Sequence, residues 1–224
     1  MDSLGKIFII GLPRTGTTSV CSALLTLGYY VAHTAYTQRT FEQAEVIADT
    51  PIFCDYPILD SYYPNSRFIY LERAPHLWIP SIKQLLLRMQ KNMLRTDGGF
   101  NTIIKRCYQE IFTPFTADNI QDDKFLLDCY EQHQKTVTTY FSKRPQDLLS
   151  IDISKESSYA QLLSFLALDE GAGNFQQMNV GGKVTAWNDL KNDNKISSTN
   201  RGKITKVDYF QLQCERAKLN SVPF

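Results

Sequence analysis

Apolar positions along the chain fall into short runs bounded by turn residues and into longer stretches with helical spacing. Ile7, Phe8, Ile9 and Ile10 form a continuous, β-branched-rich run, the pattern of a parallel strand covered on both faces. From Thr17 onward Val20, Leu24 and Leu27 recur at helical spacing, and Gly28 marks a stop. Tyr29–Ala32 predicts a second short strand, Thr40–Asp49 a helix, Pro51–Asp55 a buried strand ended by Pro57, and Ile58–Tyr63 a short helix packed on it. Arg67–Glu72 opens after the turn-forming Pro64, Asn65 and Ser66 and is the clearest later strand. Pro75 suits the first turn of the next helix, which carries Leu77, Trp78, Ile82, Leu85, Leu86 and Met89, with Pro80 as a kink. Helices over Phe100–Phe112 and Asp122–Phe141, a strand over Leu148–Ile153 and a helix over Tyr159–Leu168 complete the pattern.

Strands alternating with helices predict an α/β fold. The expected architecture is a three-layer parallel sheet with helices on both faces and ligands beyond the carboxyl ends of the strands. On the Asp122–Phe141 helix, His133 falls on the apolar stripe and reads as a satisfied residue at the core edge rather than a catalyst. One domain is expected over residues 1–170. Beyond it, residues 171–224 carry Gly171, Gly173, Gly181 and Gly182 among lysines and arginines, and read either as a solvated tail or as a basic flap that closes over an anion.

Charge narrows the field. The 224 residues hold 24 Lys plus Arg against 23 Asp plus Glu, so no overall field favours nucleic acid and any anion site must be local. Five cysteines without a CxxC pair fit reduced thiols in a cytoplasmic protein. The early apolar run is too short and too broken for a signal peptide, and no stretch approaches the roughly 20 apolar residues of a membrane span.

The chemistry concentrates between the first strand and the first helix. Gly11-Leu-Pro-Arg-Thr-Gly16 has the spacing of a Walker A loop, yet Thr17 stands where that motif requires lysine. A kinase needs that ammonium and a metal, so the loop reads as a phosphate cradle without the ATPase machinery. Arg14 supplies the cation, and Thr15, Thr17, Thr18 and Ser19 supply hydroxyls around Gly16. The alternative is a strand-to-helix turn that binds nothing. A second basic element, Arg73, follows the strand ending in Glu72, with Ser81 eight residues on.

Together these elements resemble the sulfotransferases that use 3′-phosphoadenylyl sulfate. The PKSGTT loop of that family is similar to Pro13-Arg-Thr-Gly-Thr-Thr18, and its strand ending in Arg with a Ser eight residues on is similar to Phe68-Ile-Tyr-Leu-Glu-Arg73 through Ser81. The resemblance implies a P-loop NTPase-like fold and metal-free sulfuryl transfer to a hydroxyl or amine of a small-molecule or carbohydrate acceptor. It also implies that Arg14, Thr15, Gly16, Thr17 and Thr18 hold the 5′-phosphosulfate, with Arg14 on the leaving oxygen, while Arg73 and Ser81 hold the 3′-phosphate.

The chain departs from the family pattern in four places. Arg14 replaces lysine, and Ser19 replaces a tryptophan near adenine. Lys183, in Gly181-Gly182-Lys183, only loosely matches the family's Arg-Lys-Gly. Where the family has a histidine in a His-Leu-Pro context, the corresponding stretch is read as Asp55-Tyr56-Pro57, which makes Asp55 the expected base and His33 the second candidate. A helix-capping role for Asp55 is the alternative. A non-catalytic nucleotide-binding module and a nucleotide kinase with an altered loop are the competing functions. Tyr29, Tyr30, Tyr36, Tyr56, Tyr62 and Tyr63 are read either as an aromatic acceptor pocket or as packing.

Overall fold

The computed structural model describes residues 5–169, 173–178 and 186–199. Strand β1 (Ile7–Ile9) runs into helix α1 (Thr17–Thr26), and strand β2 (Val31–Ala32) leads to helix α2 (Gln38–Gln43), whose first turn is capped by Thr37. Strand β3 (Val46–Ala48), helix α3 (Ile52–Tyr62) and strand β4 (Arg67–Leu71) follow. Helices α4 (Pro75–Leu94), α5 (Thr102–Ile111) and α6 (Asp123–Tyr140) then precede strand β5 (Leu148–Ile151), helix α7 (Ser158–Phe165) and the single turn α8 (Ala186–Asp189). Asn101 and Asp122 accept bonds from the Ile104 and Lys124 N–H groups, satisfying donors at the starts of α5 and α6.

All five strands are parallel, in the order β2-β3-β1-β4-β5. The period-two alternation of side chains divides the core between the two faces. Phe8, Ile47, Phe68 and Tyr70 face a cluster completed by residues of α3, α4, α5 and α6. Ile7, Ile9, Val46, Ala48, Ile69 and Leu71 face a smaller cluster completed by α1 and α7. The architecture is therefore an α/β sheet flanked by helices on both faces. β1 lies at its centre, where the chain steps first to one side and then to the other, and in such sheets ligands bind at that crossover.

Two expected elements are corrected. The stretch predicted as a helix over Thr40–Asp49 splits into α2 and β3: the helix-favouring Glu42 and Gln43 stay in α2, whereas Val46, Ile47 and Ala48 are fully buried between β1 and β2 and extend as a strand. The strand predicted over Pro51–Asp55 is the start of α3, which continues through Pro57 to Tyr62. Ile52, Phe53, Tyr56 and Leu59 form one helical face on the larger core. Pro57 lacks the N–H that would bond to the Phe53 carbonyl four residues back. His133 Nε2 on α6 donates to that carbonyl at 2.9 Å instead, which is why the helix does not stop at the proline. Similarly, α4 runs through Pro80 as one helix.

Past α8 the chain returns to the sheet edge. Val31 N–H donates to the Asn194 carbonyl at 3.0 Å, Ile196 N–H to the Val31 carbonyl at 2.9 Å and Tyr36 N–H to the Ser198 carbonyl at 3.1 Å. This pairs Val31 with Lys195 in parallel. Among the described residues no helix is long and apolar enough to cross a membrane.

Candidate functional site

A cavity of about 1760 Å³ opens beyond the carboxyl ends of β1, β3 and β4. Its floor is the loop between β1 and α1. Gly11 is required there, since a Cβ would lie 2.6 Å from the Leu71 Cβ. Trp78 Nε1 donates to the Pro13 carbonyl at 2.9 Å and pins the loop to α4. Gly16 has φ 110°, and a Cβ there would meet Ile153 Cδ1 at 2.4 Å. The Ser19 and Val20 N–H groups both turn back to the Gly16 carbonyl, at 3.0 and 3.2 Å. The N–H groups of Gly16 and Thr17 thus have no backbone acceptor among the described residues, and the positive end of α1 faces the cavity.

The predicted loop residues do not all point the same way. Thr15 donates its hydroxyl to the Leu12 carbonyl at 2.6 Å and is buried in the turn. Thr18 and Thr17 place their hydroxyls 3.0 and 3.4 Å from His33 Nε2, which follows β2. Arg14, at φ 72°, donates from Nε to Ser81 Oγ at 2.8 Å. Arg73 in turn donates from Nη1 to the Arg14 carbonyl at 2.7 Å, while its own N–H donates to the Tyr130 hydroxyl at 2.9 Å. Arg14, Thr15, Gly16, Thr17, Thr18, Ser19, His33, Arg73 and Ser81 all line the one cavity.

Asp55 does not. On α3 it is 2% exposed, and its two oxygens accept from Arg106 Nη1 and Nη2 at 2.9 and 2.6 Å. Burial opposes the Arg106 charge, but the carboxylate beside it raises the pKa above its ordinary value. Asp152, directly after β5, lines the cavity, and so does Asp49, directly after β3 at φ 52°. Its Oδ1 accepts from the Thr50 hydroxyl at 3.0 Å, and among the described residues its Oδ2 takes no hydrogen bond. A non-glycine residue in the left-handed region at the rim of a cavity is a recurrent mark of a functional position. Asp49 begins Asp49-Thr50-Pro51, which has the same spacing as His-Leu-Pro. It lies six residues upstream of Asp55 and, unlike Asp55, directly follows a strand, Val46–Ala48.

Tyr36 and Tyr108 close the cavity around Asp49. Burial pushes both phenols up, and the Asp49 charge adds to that. Burial lowers the His33 pKa, with Asp49 opposing and Lys195 reinforcing, so the imidazole is neutral at pH 7. Of the tyrosines flagged in the sequence, Tyr36 lines the cavity, whereas Tyr56 and Tyr63 pack in the core. The opposite wall comes from the late segment. Trp187 lies 5.3 Å from the His33 ring, and Lys195 sits 4.9 Å above Trp187 while donating to the Trp187 and Leu190 carbonyls. Lys183 lies outside the described residues. Among the described residues no group of three or more His, Cys, Asp or Glu is placed to hold a metal ion.

A family model described as a sulfotransferase domain matches the chain over residues 6–39 and 32–184. No curated protein matches it.

Proposed function

The chain belongs to the sulfotransferase domain family, and on that premise we propose that it transfers a sulfuryl group from 3′-phosphoadenylyl sulfate to a hydroxyl of a small-molecule or carbohydrate acceptor. The observation that carries the reading is the joint presence, on one cavity, of the open N-terminus of α1 and the Arg73–Ser81 element. These are two anion sites for a nucleotide with phosphates at both ends of its ribose.

In this reading the Gly16 and Thr17 N–H groups and the Thr17 and Thr18 hydroxyls hold the 5′-phosphosulfate. They also meet the charge that grows on the phosphate as its bond to sulfur breaks. Asp49, held at one oxygen by Thr50, takes the acceptor proton at the other while the acceptor oxygen bonds to sulfur. Neutral His33 orients the two threonine hydroxyls. Adenosine 3′,5′-bisphosphate and the sulfated acceptor are the products.

Calorimetric titration with adenosine 3′,5′-bisphosphate in metal-free buffer, beside ATP with magnesium, tests the donor class. Micromolar binding of the bisphosphate alone is expected. Binding of ATP alone would replace this reading with a kinase, and bisphosphate binding without transfer to any phenol, alcohol or sugar would favour a non-catalytic module.

A further inference from the structure

Arg14 belongs to the loop that holds the 5′ end of the donor in the reading above, yet its side chain leans toward the other end of the cavity. Its Nε–H is committed to Ser81 Oγ at 2.8 Å, and Ser81 stands on the second turn of α4 beyond Arg73. Its backbone carbonyl accepts from Arg73 Nη1 at 2.7 Å. One corner of the cavity therefore gathers two guanidinium groups and a hydroxyl, each fixed by the next. Ser81 acts as an acceptor in this chain, and its own proton has no acceptor among the described residues. Nor do Nε and Nη2 of Arg73 make a hydrogen bond among the described residues.

Two half-buried cations placed this close repel each other. Burial lowers the Arg14 pKa, and the next causes are the charges of Arg73 and Arg88, with Tyr108 and Asp49 opposing. A guanidinium does not release its proton, so two positive charges persist at this corner and favour an anion there. A phosphate dianion suits them, accepting from planar forks on two sides and from a hydroxyl. A sulfonate, with one charge, suits them less well.

We infer that Arg14 is a specificity residue for the 3′-phosphate of the donor, forming with Arg73 and Ser81 a two-guanidinium clamp on that group and leaving the 5′-phosphosulfate to the amides and threonines of α1. The inference rests on the donor reading above. It gives the loop arginine a different job from a lysine at the same place. Nε, which lysine lacks, makes the bond that draws the side chain to Ser81.

The test is titration of the unaltered chain, Arg14→Ala and Arg14→Lys with adenosine 3′,5′-bisphosphate and with adenosine 5′-monophosphate, after matching thermal unfolding curves establish that the variants fold. Arg14→Ala is expected to weaken the bisphosphate about tenfold or more and to leave the monophosphate within about twofold. Arg14→Lys, which keeps the charge and loses the Nε bond, is expected to weaken only the bisphosphate, by an intermediate factor. Equal losses for both nucleotides would return Arg14 to the 5′ group and overturn the inference with the donor reading intact. Failure of the unaltered chain to bind the bisphosphate would overturn the donor reading itself.

Discussion

His133 donates from Nε2 to the Phe53 carbonyl at 2.9 Å, replacing the helical bond that Pro57 cannot make. The imidazole is 5% exposed, and its Nδ1 has no partner among the described residues. Burial lowers its pKa to about 4, against an ordinary value of 6.5, although the backbone bond opposes the shift. The unfolded chain therefore takes up the proton first. This group's contribution is intact above pH 6.5 and is lost as pH falls toward 4. The full loss is about 3 kcal/mol, at about 1.4 kcal/mol per unit. Urea unfolding at pH 7 and pH 5 should show His133→Gln, which keeps an N–H donor but does not titrate, losing less stability on acidification than the unaltered chain. Parallel losses in both proteins would contradict this account.

Asp55 and Asp49 separate structure from chemistry. Asp55→Ala leaves Arg106 with only the longer Glu110 pair at 3.6 Å among the described residues and is expected to lower stability by about 2 kcal/mol, less than for a fully buried pair because 26% of the Arg106 side chain is exposed. The bisphosphate affinity of the protein that remains folded should be unchanged. A large loss of affinity with unchanged stability would bring Asp55 back as a site residue.

Asp49→Asn is expected to behave in the opposite way. It keeps the shape and the Thr50 contact but removes the base, so sulfuryl transfer should fall by about 10²-fold or more with nucleotide binding intact. Transfer of labelled sulfuryl to a panel of phenols and sugars measures this, and undiminished turnover would move the base elsewhere, with His33 next in line.

Gly16→Ala puts a methyl group into Ile153 at a φ of 110°, whereas Gly28→Ala, at φ 91°, meets nothing within 4 Å. Both should lose about 1 kcal/mol to backbone strain. Gly16→Ala alone should also displace the start of α1 and weaken bisphosphate binding by about tenfold or more. Comparable affinities in the two variants would remove the helix terminus from the site.

The parts of the site legible in the sequence are those whose geometry is local. Strand, glycine turn and helix follow one another within a few residues, so the placement of Arg14 through Ser19 could be read from spacing, and the Arg73–Ser81 interval behaved alike. Asp49 was hidden because β3 is a three-residue strand inside a run of helix-favouring residues, and only its neighbours in the sheet decide its state. The Asp55–Arg106 pair spans 51 positions and the His133–Phe53 bond 80, and no periodicity carries such separations. The direction of Arg14 depends on a positive φ, which the residue type does not announce.

The pairing of residues 194–196 with β2 bears on solubility as well as on the cavity wall. A two-residue edge strand offers few contacts of its own, and its outward N–H and C=O groups would be available to any passing strand. In this chain Asn194 and Ile196 occupy those of Val31. A chain shortened to end after α7 would keep every strand of the sheet and still carry a raw edge, and it should self-associate as concentration rises in sedimentation velocity runs. The same segment thus lines the cavity and covers an edge of the sheet.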